Sequence, residues 1–158
     1  MKTCCFTGHR HIPTRHLSQL PAALETEILS LLENGVTTFR NGGAIGFDTV
    51  AALKVIALRQ THPEMRLELW LPCHDQDKHW SSDQRDTYAY ILSQADHVHY
   101  ISDIYTRFCM LERDRRMVDG SDVCVAYCLR TEGGTGYTCQ YALKNGVPIH
   151  NLAQKISR

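Results

Sequence analysis

Three short segments of this 158-residue chain combine glycine with hydroxyl, amide or charged side chains. They read TGHR (residues 7–10), NGGAIGFD (residues 41–48) and EGGTGYT (residues 132–138). Glycine lets a backbone approach a ligand closely, and free backbone N–H groups bind phosphate and other anions. None of the three is a Walker A loop, and none gives G-x-G-x-x-G directly after the first predicted strand. The segments therefore indicate a phosphate or ribose site of another kind.

The third segment is the best candidate for a phosphate cradle. It precedes a predicted helix over residues 135–145, whose first N–H groups would point at a bound anion. The backbone would supply most contacts and the threonine hydroxyl one more, so the candidate residues are Gly133, Gly134, Thr135 and Gly136. In the second segment, the residues expected to line the opposite wall are Gly42, Gly43 and Gly46.

Other polar side chains in these segments allow two interpretations each. Asp48 either accepts a hydrogen bond from a ribose hydroxyl or is a carboxylate stabilised near a helix N-terminus. In the first segment, Thr7 and Gly8 are predicted ligand contacts, and Arg10 either pairs with phosphate or forms a surface ion pair. His9 titrates near neutral pH, as an acid or base must, but it is one of nine histidines.

Two further residues complete the predicted site. Arg113 is expected to supply positive charge, and Trp80 to pack over the pocket or stack on a base. Trp80 ends the segment PCHDQDKHW (residues 72–80), whose thiol, imidazole and carboxylate groups also permit a metal interpretation. Because spacing alone does not bring these groups together and the mixture suits no one metal closely, no metal site is predicted.

Short apolar runs alternate with helix-like stretches along the whole chain, and this alternation positions the three segments. Apolar residues at steps of three and four, as at Leu20, Leu24 and Ile28, predict helices over residues 18–34, 46–60, 83–95, 109–119 and 135–145. Strands are predicted over residues 3–7, 37–40, 66–72, 97–101, 122–127 and 148–152. Such a pattern indicates an α/β fold with a parallel sheet covered on both faces. The glycine segments follow strands, where open parallel sheets bind ligands.

Length and composition limit the alternatives. The chain is long enough for one domain, residues 1–158, with a full core. Seventeen basic and seventeen acidic side chains give no overall positive field toward nucleic acid or membrane. The first apolar run is too short for a signal peptide or membrane span, so a cytoplasmic protein is predicted. Seven cysteines without a C-x-x-C pair argue against a disulfide framework or structural zinc site.

Taken together, CCFTGHR, GGAIGFDTVAA, LPC with Trp80, MVDGSDVCVA and GGTGYT resemble the bacterial YspA/YpsA-like branch of the SLOG superfamily. The likeness runs in order over nearly the whole chain. It implies a single Rossmann-like domain, a three-layer αβα sandwich with a mainly parallel sheet. It also implies a pocket for a nucleotide or nucleotide-derived ligand, such as an ADP-ribose-like molecule, with no obligatory cofactor.

Two relatives of that family sharpen the expectation. The LOG phosphoribohydrolases carry a similar loop, P-G-G-x-G-T-x-x-E, in which the glutamate takes part in cleavage. Here Cys139 and Gln140 stand where that acid is expected, and neither replaces its charge. The resemblance therefore favours binding over this hydrolysis and leaves open a sensor or another enzyme. A homodimer is expected by analogy alone.

The second relative is DprA, whose G-x-A-x-G-I-D motif is similar to GGAIGFD and which binds single-stranded DNA. Such binding requires a basic groove and exposed aromatic side chains. Charge would come from Arg10, His11, Arg15, Arg113, Arg115 and Arg116, and stacking from Trp80, Tyr105 or Tyr137. A DprA-like single-stranded nucleic-acid-binding module is therefore the alternative, placed second because the chain is neutral.

Overall fold

The computed structural model describes residues 2–156, which form a six-stranded, fully parallel sheet. The strand order is β4-β3-β2-β1-β5-β6. The strands are β1 Lys2–Gly8, β2 Val36–Asn41, β3 Arg66–Leu71, β4 His97–Tyr100, β5 Val123–Tyr127 and β6 Ile149–Asn151. The predicted alternation of strands and helices is thus confirmed, and the sheet is parallel throughout.

Helices cover both faces of this sheet. They are α1 Thr14–Leu17, α2 Leu20–Glu33, α3 Phe47–Arg59, α4 Ser82–Gln94, α5 Cys109–Val118 and α6 Gly133–Lys144, and a 3₁₀ turn follows at Leu152–Gln154. One apolar cluster joins the sheet to α2, α3 and α4, and a smaller one joins the opposite face to α5 and α6. The architecture is the Rossmann-like three-layer sandwich that the sequence resemblance implied.

The periodic residues of the sequence form this core. In α2, Leu20, Leu24 and Ile28 are fully buried, as their spacing predicts. In β1, Cys4 and Phe6 pack on the first face while Cys5 packs on the second, because successive side chains of a strand point to opposite sides. Strands buried on both faces account for the nearly continuous apolar character of β1 and β5.

The helices differ from the sequence prediction in three places, one of them the start of α2, which is Leu20 and not residue 18. Helix α6 begins at Gly133, two residues before the predicted start, so the glycines predicted to form a turn form the first helical turn instead. Helix α1 was not predicted because it has only four residues, directly after Pro13. At α6 the glycines and at α1 the proline indicated a loop, but the surrounding structure stabilises a helix there.

The order of the strands reverses direction at β1. The chain runs from β1 outward through β2, β3 and β4, and then crosses back so that β5 pairs with the other side of β1. The loops after β1 and β5 therefore separate toward opposite faces and open a crevice at the carboxyl ends of the two strands. That crevice is where a ligand site is expected.

Candidate functional site

A cavity of about 450 Å³ lies at this crossover. Its walls are residues 6–11 and Pro13 at and after the end of β1, Ala44 and Asp48 around the start of α3, one face of α5, and residues 129, 130 and 132–135. The first and third glycine segments thus contribute backbone to the same cavity. The volume is in the range of small-molecule sites.

The N-terminus of α6 forms one end of the cavity, through Gly133, Gly134 and Thr135. The residue before the helix, Glu132, makes no side-chain hydrogen bond that caps it. The first N–H groups of a helix have no partner within the helix, so they are available to an anion here. A Cβ atom added at Gly134 meets nothing within 4 Å. At this end of the cavity, the backbone of Gly134 is therefore not covered by other atoms.

Gly136, the last glycine of the predicted cradle, has a different position. It is buried and is not among the residues that line the cavity. A Cβ atom at this residue would lie 2.1 Å from the carbonyl oxygen of Thr131. Gly136 thus lets the helix pack closely on the preceding loop.

Two arginines at the cavity have no acidic partner. Within residues 2–156, no carboxylate lies within 4.0 Å of Arg10 or Arg130. Arg10 instead approaches the sulfur of Met110, with 3.2 Å between Nη2 and Sδ. The surface ion pair that the sequence allowed for Arg10 is absent from the described residues. Both guanidinium groups are therefore available to an anionic ligand.

His9 connects the loops after β1 and β5. Its Nε2 accepts a hydrogen bond of 2.8 Å from the backbone N–H of Leu129, so the ring is the neutral tautomer with its proton on Nδ1. Burial lowers the pKa of His9, and the positive charge of Arg130 lowers it further. His9 is thus a neutral imidazole that fixes the cavity wall.

Asp48 is the chemically unusual residue of the site. It lies in the first turn of α3 and is 6% exposed. Its Oδ2 accepts a hydrogen bond of 3.3 Å from the N–H of Ala44, whereas its buried Oδ1 has no partner among the described residues. Burial raises the pKa of Asp48 to about 7, although the charge of Arg113 acts in the opposite direction. The carboxyl group of Asp48 therefore has a pKa close to neutral pH, and its Oδ1 lacks a hydrogen bond.

The guanidinium group of Arg113 holds the second glycine segment in place through hydrogen bonds within the protein. Its Nη1 donates to the carbonyl oxygen of Gly42 at 2.6 Å, and its Nε donates to Asp114 at 2.7 Å. Both side chains are nearly buried. Arg113 lines the cavity, but these bonds give it a structural task as well as a positive charge.

The remaining predicted glycines position backbone rather than form the cavity wall. The wall opposite α6 consists of Ala44 and Asp48, and not of Gly42, Gly43 and Gly46. Gly46 has φ of 81°, and a Cβ there would lie 2.2 Å from the carbonyl oxygen of Arg10. The loop after β1 and the start of α3 can therefore touch only because residue 46 is glycine. Gly8, in contrast, lines the cavity, and its lack of a Cβ also leaves room for the ring of Phe47.

Trp80 does not line the cavity. It packs at the edge of the first core, where its ring meets Tyr88 edge to face with centroids 5.1 Å apart. The metal interpretation of residues 72–80 finds no support, since no three His, Cys, Asp or Glu side chains converge within residues 2–156. His74 stacks on Tyr100, and burial raises the pKa of Cys73 to about 11. All seven cysteines are free thiols, five of them buried.

Sequence reasoning missed several residues at the cavity. Arg130, Asp114 and Glu132 all line it, as do the apolar side chains of Met110 and Leu129. Glu132 is the first residue of the third glycine segment and could have been identified from that position, whereas Arg130 lies two residues before the segment. Asp114 follows Arg113 in a helix of alternating charges, where no local signal separates it from a solvated residue.

Among the described helices, none has the length and apolar character that a membrane span requires.

The fold and the cavity define a class, the Rossmann-like α/β domains with a pocket at the strand-order reversal. The family can also be stated: residues 5–152 match the model of the YspA SLOG family, and the chain belongs to it. The sequence resemblance is thereby confirmed.

Two relatives show how the similarity is distributed. A UPF0398 protein of Halalkalibacterium halodurans is 37% identical over 95 residues, which are 60% of this chain and 49% of that protein. The SPbeta prophage-derived protein YoqJ of Bacillus subtilis is 28% identical over 138 residues, with 77% of this chain and 81% of YoqJ covered. The chain thus spans about half the length of the first UPF0398 relatives that it matches.

Solved structures of DprA share the fold. The DprA of Streptococcus pneumoniae matches with a TM-score of 0.66 at 17% identity, over 94% of this chain and 49% of DprA. The DprA of Helicobacter pylori, described by its single-stranded DNA binding mode, gives a TM-score of 0.67 at 18% identity, over 94% and 63%. At these identities the likeness concerns the fold.

Proposed function

We propose that this chain binds a nucleotide or nucleotide-derived ligand in the cavity between β1, β5 and the start of α6. The phosphate would occupy the helix N-terminus, within reach of Arg10 and Arg130. A ribose hydroxyl would donate to Asp48. The protein acts as a sensor of that ligand or as an enzyme on it, in the cytoplasm, where free thiols stay reduced.

The unpaired Oδ1 of Asp48 is the observation that carries this proposal. A buried acceptor without a partner costs on the order of 1–3 kcal/mol. A ligand hydroxyl group that reached and donated to it would recover that loss, which favours an anion with a hydroxyl group over a simple anion. The uncapped helix N-terminus and two unpaired guanidinium groups favour an anionic group at the other end. A ribose phosphate carries both chemical groups.

The carboxylates of the cavity bear on the choice between sensor and enzyme. Neither Cys139 nor Gln140 lines the cavity, so the LOG-type position offers no acid. Asp48, Asp114 and Glu132 do line it. An enzyme acting in this cavity would have these carboxyl groups and the imidazole of His9 at hand. Product analysis after incubation with each bound nucleotide distinguishes an enzyme from a sensor.

The experiment is a thermal-shift screen with AMP, ATP, NAD, ADP-ribose, cyclic dinucleotides and a short single-stranded oligonucleotide. A ligand that binds the folded state raises the melting temperature once its concentration exceeds its Kd. The Gly134→Val variant should weaken nucleotide binding by about tenfold or more, because an isopropyl group blocks the anion position. Gln140→Val, on an exposed position of the same helix, should bind as the unmodified protein does. Equal affinity in both variants, or no shift with any nucleotide, contradicts the proposal.

Single-stranded nucleic acid is the second candidate ligand. The observation that favours it is a pair of exposed rings, Tyr105 at 60% and Phe108 at 61%, in the loop before α5. The Arg107 guanidinium lies over the Phe108 ring, 5.4 Å from its centroid. A melting shift with the oligonucleotide alone, decreasing steeply with salt, would place this candidate first.

A further inference from the structure

A second cavity, of about 400 Å³, lies next to the first at the carboxyl edge of the sheet. Its walls come from α1, from the segment directly after β5 and from the 3₁₀ turn after β6. The residues are Arg15, His16, Cys128, Leu129, Ala153 and Gln154. Leu129 also lines the first cavity, so the two cavities adjoin at this residue.

Hydrogen bonds fix the walls of the second cavity. The side chain of Asn151 accepts from the N–H of Cys128 at 3.1 Å and donates to the carbonyl oxygen of Cys128 at 2.9 Å. The same side chain accepts from the N–H of Ala153 in the 3₁₀ turn. The N–H of Leu129 donates to His9 on the other side. The shape of the cavity is therefore set before a ligand binds, which lowers the entropic cost of binding.

His16 directs one ring nitrogen into the second cavity. The residue is 4% exposed, and its Nδ1 forms a hydrogen bond with the hydroxyl group of Tyr127. Within residues 2–156, its Nε2 has no partner. The enclosed side-chain nitrogen and oxygen atoms without a partner belong to Thr37, Asp48 and Gln76, so Nε2 of His16 is not enclosed. It therefore reaches the cavity that His16 lines.

The hydroxyl group of Tyr127 determines which nitrogen of His16 carries the proton. Tyr127 is fully buried, and among residues 2–156 its hydroxyl group has His16 as its one hydrogen-bond partner. If Nδ1 were the donor, the hydroxyl proton would be buried without an acceptor, which is unfavourable. The hydroxyl group therefore donates to Nδ1, and the neutral imidazole carries its proton on Nε2. A fixed N–H donor thus points into the second cavity.

Arg15 supplies the charge of the second cavity. In the part of the chain that the structure describes, no carboxylate lies within 4.0 Å of its guanidinium group. None of the described residues that line this cavity is acidic, and Gln154 adds an amide group. A guanidinium group, an imidazole N–H and an amide are the donors that an oxyanion requires.

We propose that the second cavity binds a phosphate or carboxylate group, held by the guanidinium group of Arg15 and the Nε2–H of His16. Arg15 provides the positive charge, and His16 provides a donor whose direction is fixed by Tyr127. The bound group is either a free anion or a second acidic group of a ligand in the adjoining first cavity. The site itself does not depend on the function proposed for the first cavity.

The test is a titration with inorganic phosphate, followed in proton–nitrogen correlation spectra of the imidazole rings. The signals of His16 are identified by their absence from the spectrum of His16→Gln. Before phosphate is added, they should show the proton on Nε2, and phosphate should then shift them to saturation. Arg15→Gln should raise the Kd of phosphate by about tenfold or more, because a charge-assisted hydrogen bond is lost. Arg66→Gln removes the same charge from an exposed residue at the start of β3 and should leave the Kd unchanged.

Gly134→Val separates this site from the first cavity. Phosphate that binds at the start of α6 is lost in this variant, whereas the shift of the His16 signals should persist. Three results overturn the proposal: a proton on Nδ1, no saturable shift of the His16 signals up to phosphate concentrations on the order of 100 mM, or an equal Kd in Arg15→Gln and the unmodified protein.

A nucleoside bisphosphate compared with AMP identifies the source of the bound group, and this comparison rests on the function proposed for the first cavity. If one ligand occupies both cavities, the bisphosphate binds more tightly than AMP, and Arg15→Gln removes the difference. If the group is a free anion, the two nucleotides bind equally, and phosphate still shifts the His16 signals when AMP is bound. Both results support an anion site at Arg15 and His16.

Discussion

The carboxyl group of Asp48 shows how one residue is set by its surroundings. Its pKa of about 7 in the folded protein is above the value of 3.8 for an unperturbed aspartate. Above the lower value the unfolded chain loses this proton, while the folded protein keeps it until the pH approaches 7. Folding is therefore opposed progressively as the pH rises between these two values.

The Asp48→Asn variant tests this titration, since it removes the ionisable group and keeps the shape. Because a tenfold change in proton affinity corresponds to about 1.4 kcal/mol, the unmodified protein should lose up to about 4 kcal/mol relative to the variant between about pH 4 and pH 8. Urea unfolding of both proteins at several pH values measures the difference. Histidines and other groups titrate in both and cancel. A difference that is constant with pH would show that the carboxyl group is not perturbed.

At the scale of single residues, the sequence indicated the candidate site residues that lie in unusual motifs and missed the cavity residues that lie outside such motifs. Asp48 was found because it ends a glycine segment. The missing hydrogen bond of its Oδ1 was not predictable, because the partners of this oxygen depend on which loops enclose it. Arg130 has no motif of its own, and it reaches the cavity only because the chain turns directly into α6. Trp80 was predicted over the pocket, but its ring fits the gap beside Tyr88.

Helix α6 shows how glycines that look alike in sequence differ by position. Gly136→Ala would bring a Cβ against the backbone of Thr131, which cannot move away as a flexible side chain can. We expect it to lower the free energy of unfolding by roughly 1–3 kcal/mol. Gly134→Ala meets open space in a helical position, and should raise that free energy by up to about 1 kcal/mol. Urea unfolding measures both, and equal effects would contradict the assigned packing.

Most of the strands and helices could be predicted from the sequence. Strands and long helices lie within about two residues of their predicted bounds, because burial on both faces of a parallel sheet leaves a strong apolar pattern. The order of the strands in the sheet could not be predicted from the sequence. Nothing local in β5 indicates that it pairs with β1, since this pairing depends on the crossover through α5.

Over the whole molecule, the two apolar clusters share the same strands. Phe6 and Val125 belong to the larger cluster, whereas their neighbours Cys5 and Cys124 belong to the smaller one. One face therefore cannot lose its packing without disturbing the strands that hold the other. We expect residues 2–156 to unfold as one cooperative unit, consistent with a single domain.

The two tryptophans report on the two faces separately. Trp70 lies on the face that carries α5, and Trp80 packs against the larger cluster on the opposite face. In Trp80→Phe the fluorescence comes from Trp70 alone, and in Trp70→Phe from Trp80 alone. Each substitution lowers stability by its own amount, so the comparison is made within each variant, between fluorescence and far-ultraviolet circular dichroism. The two signals should give the same urea midpoint and slope. If either fluorescence transition came before the loss of helix signal, the faces would unfold independently. The strands shared between the clusters would then not couple them.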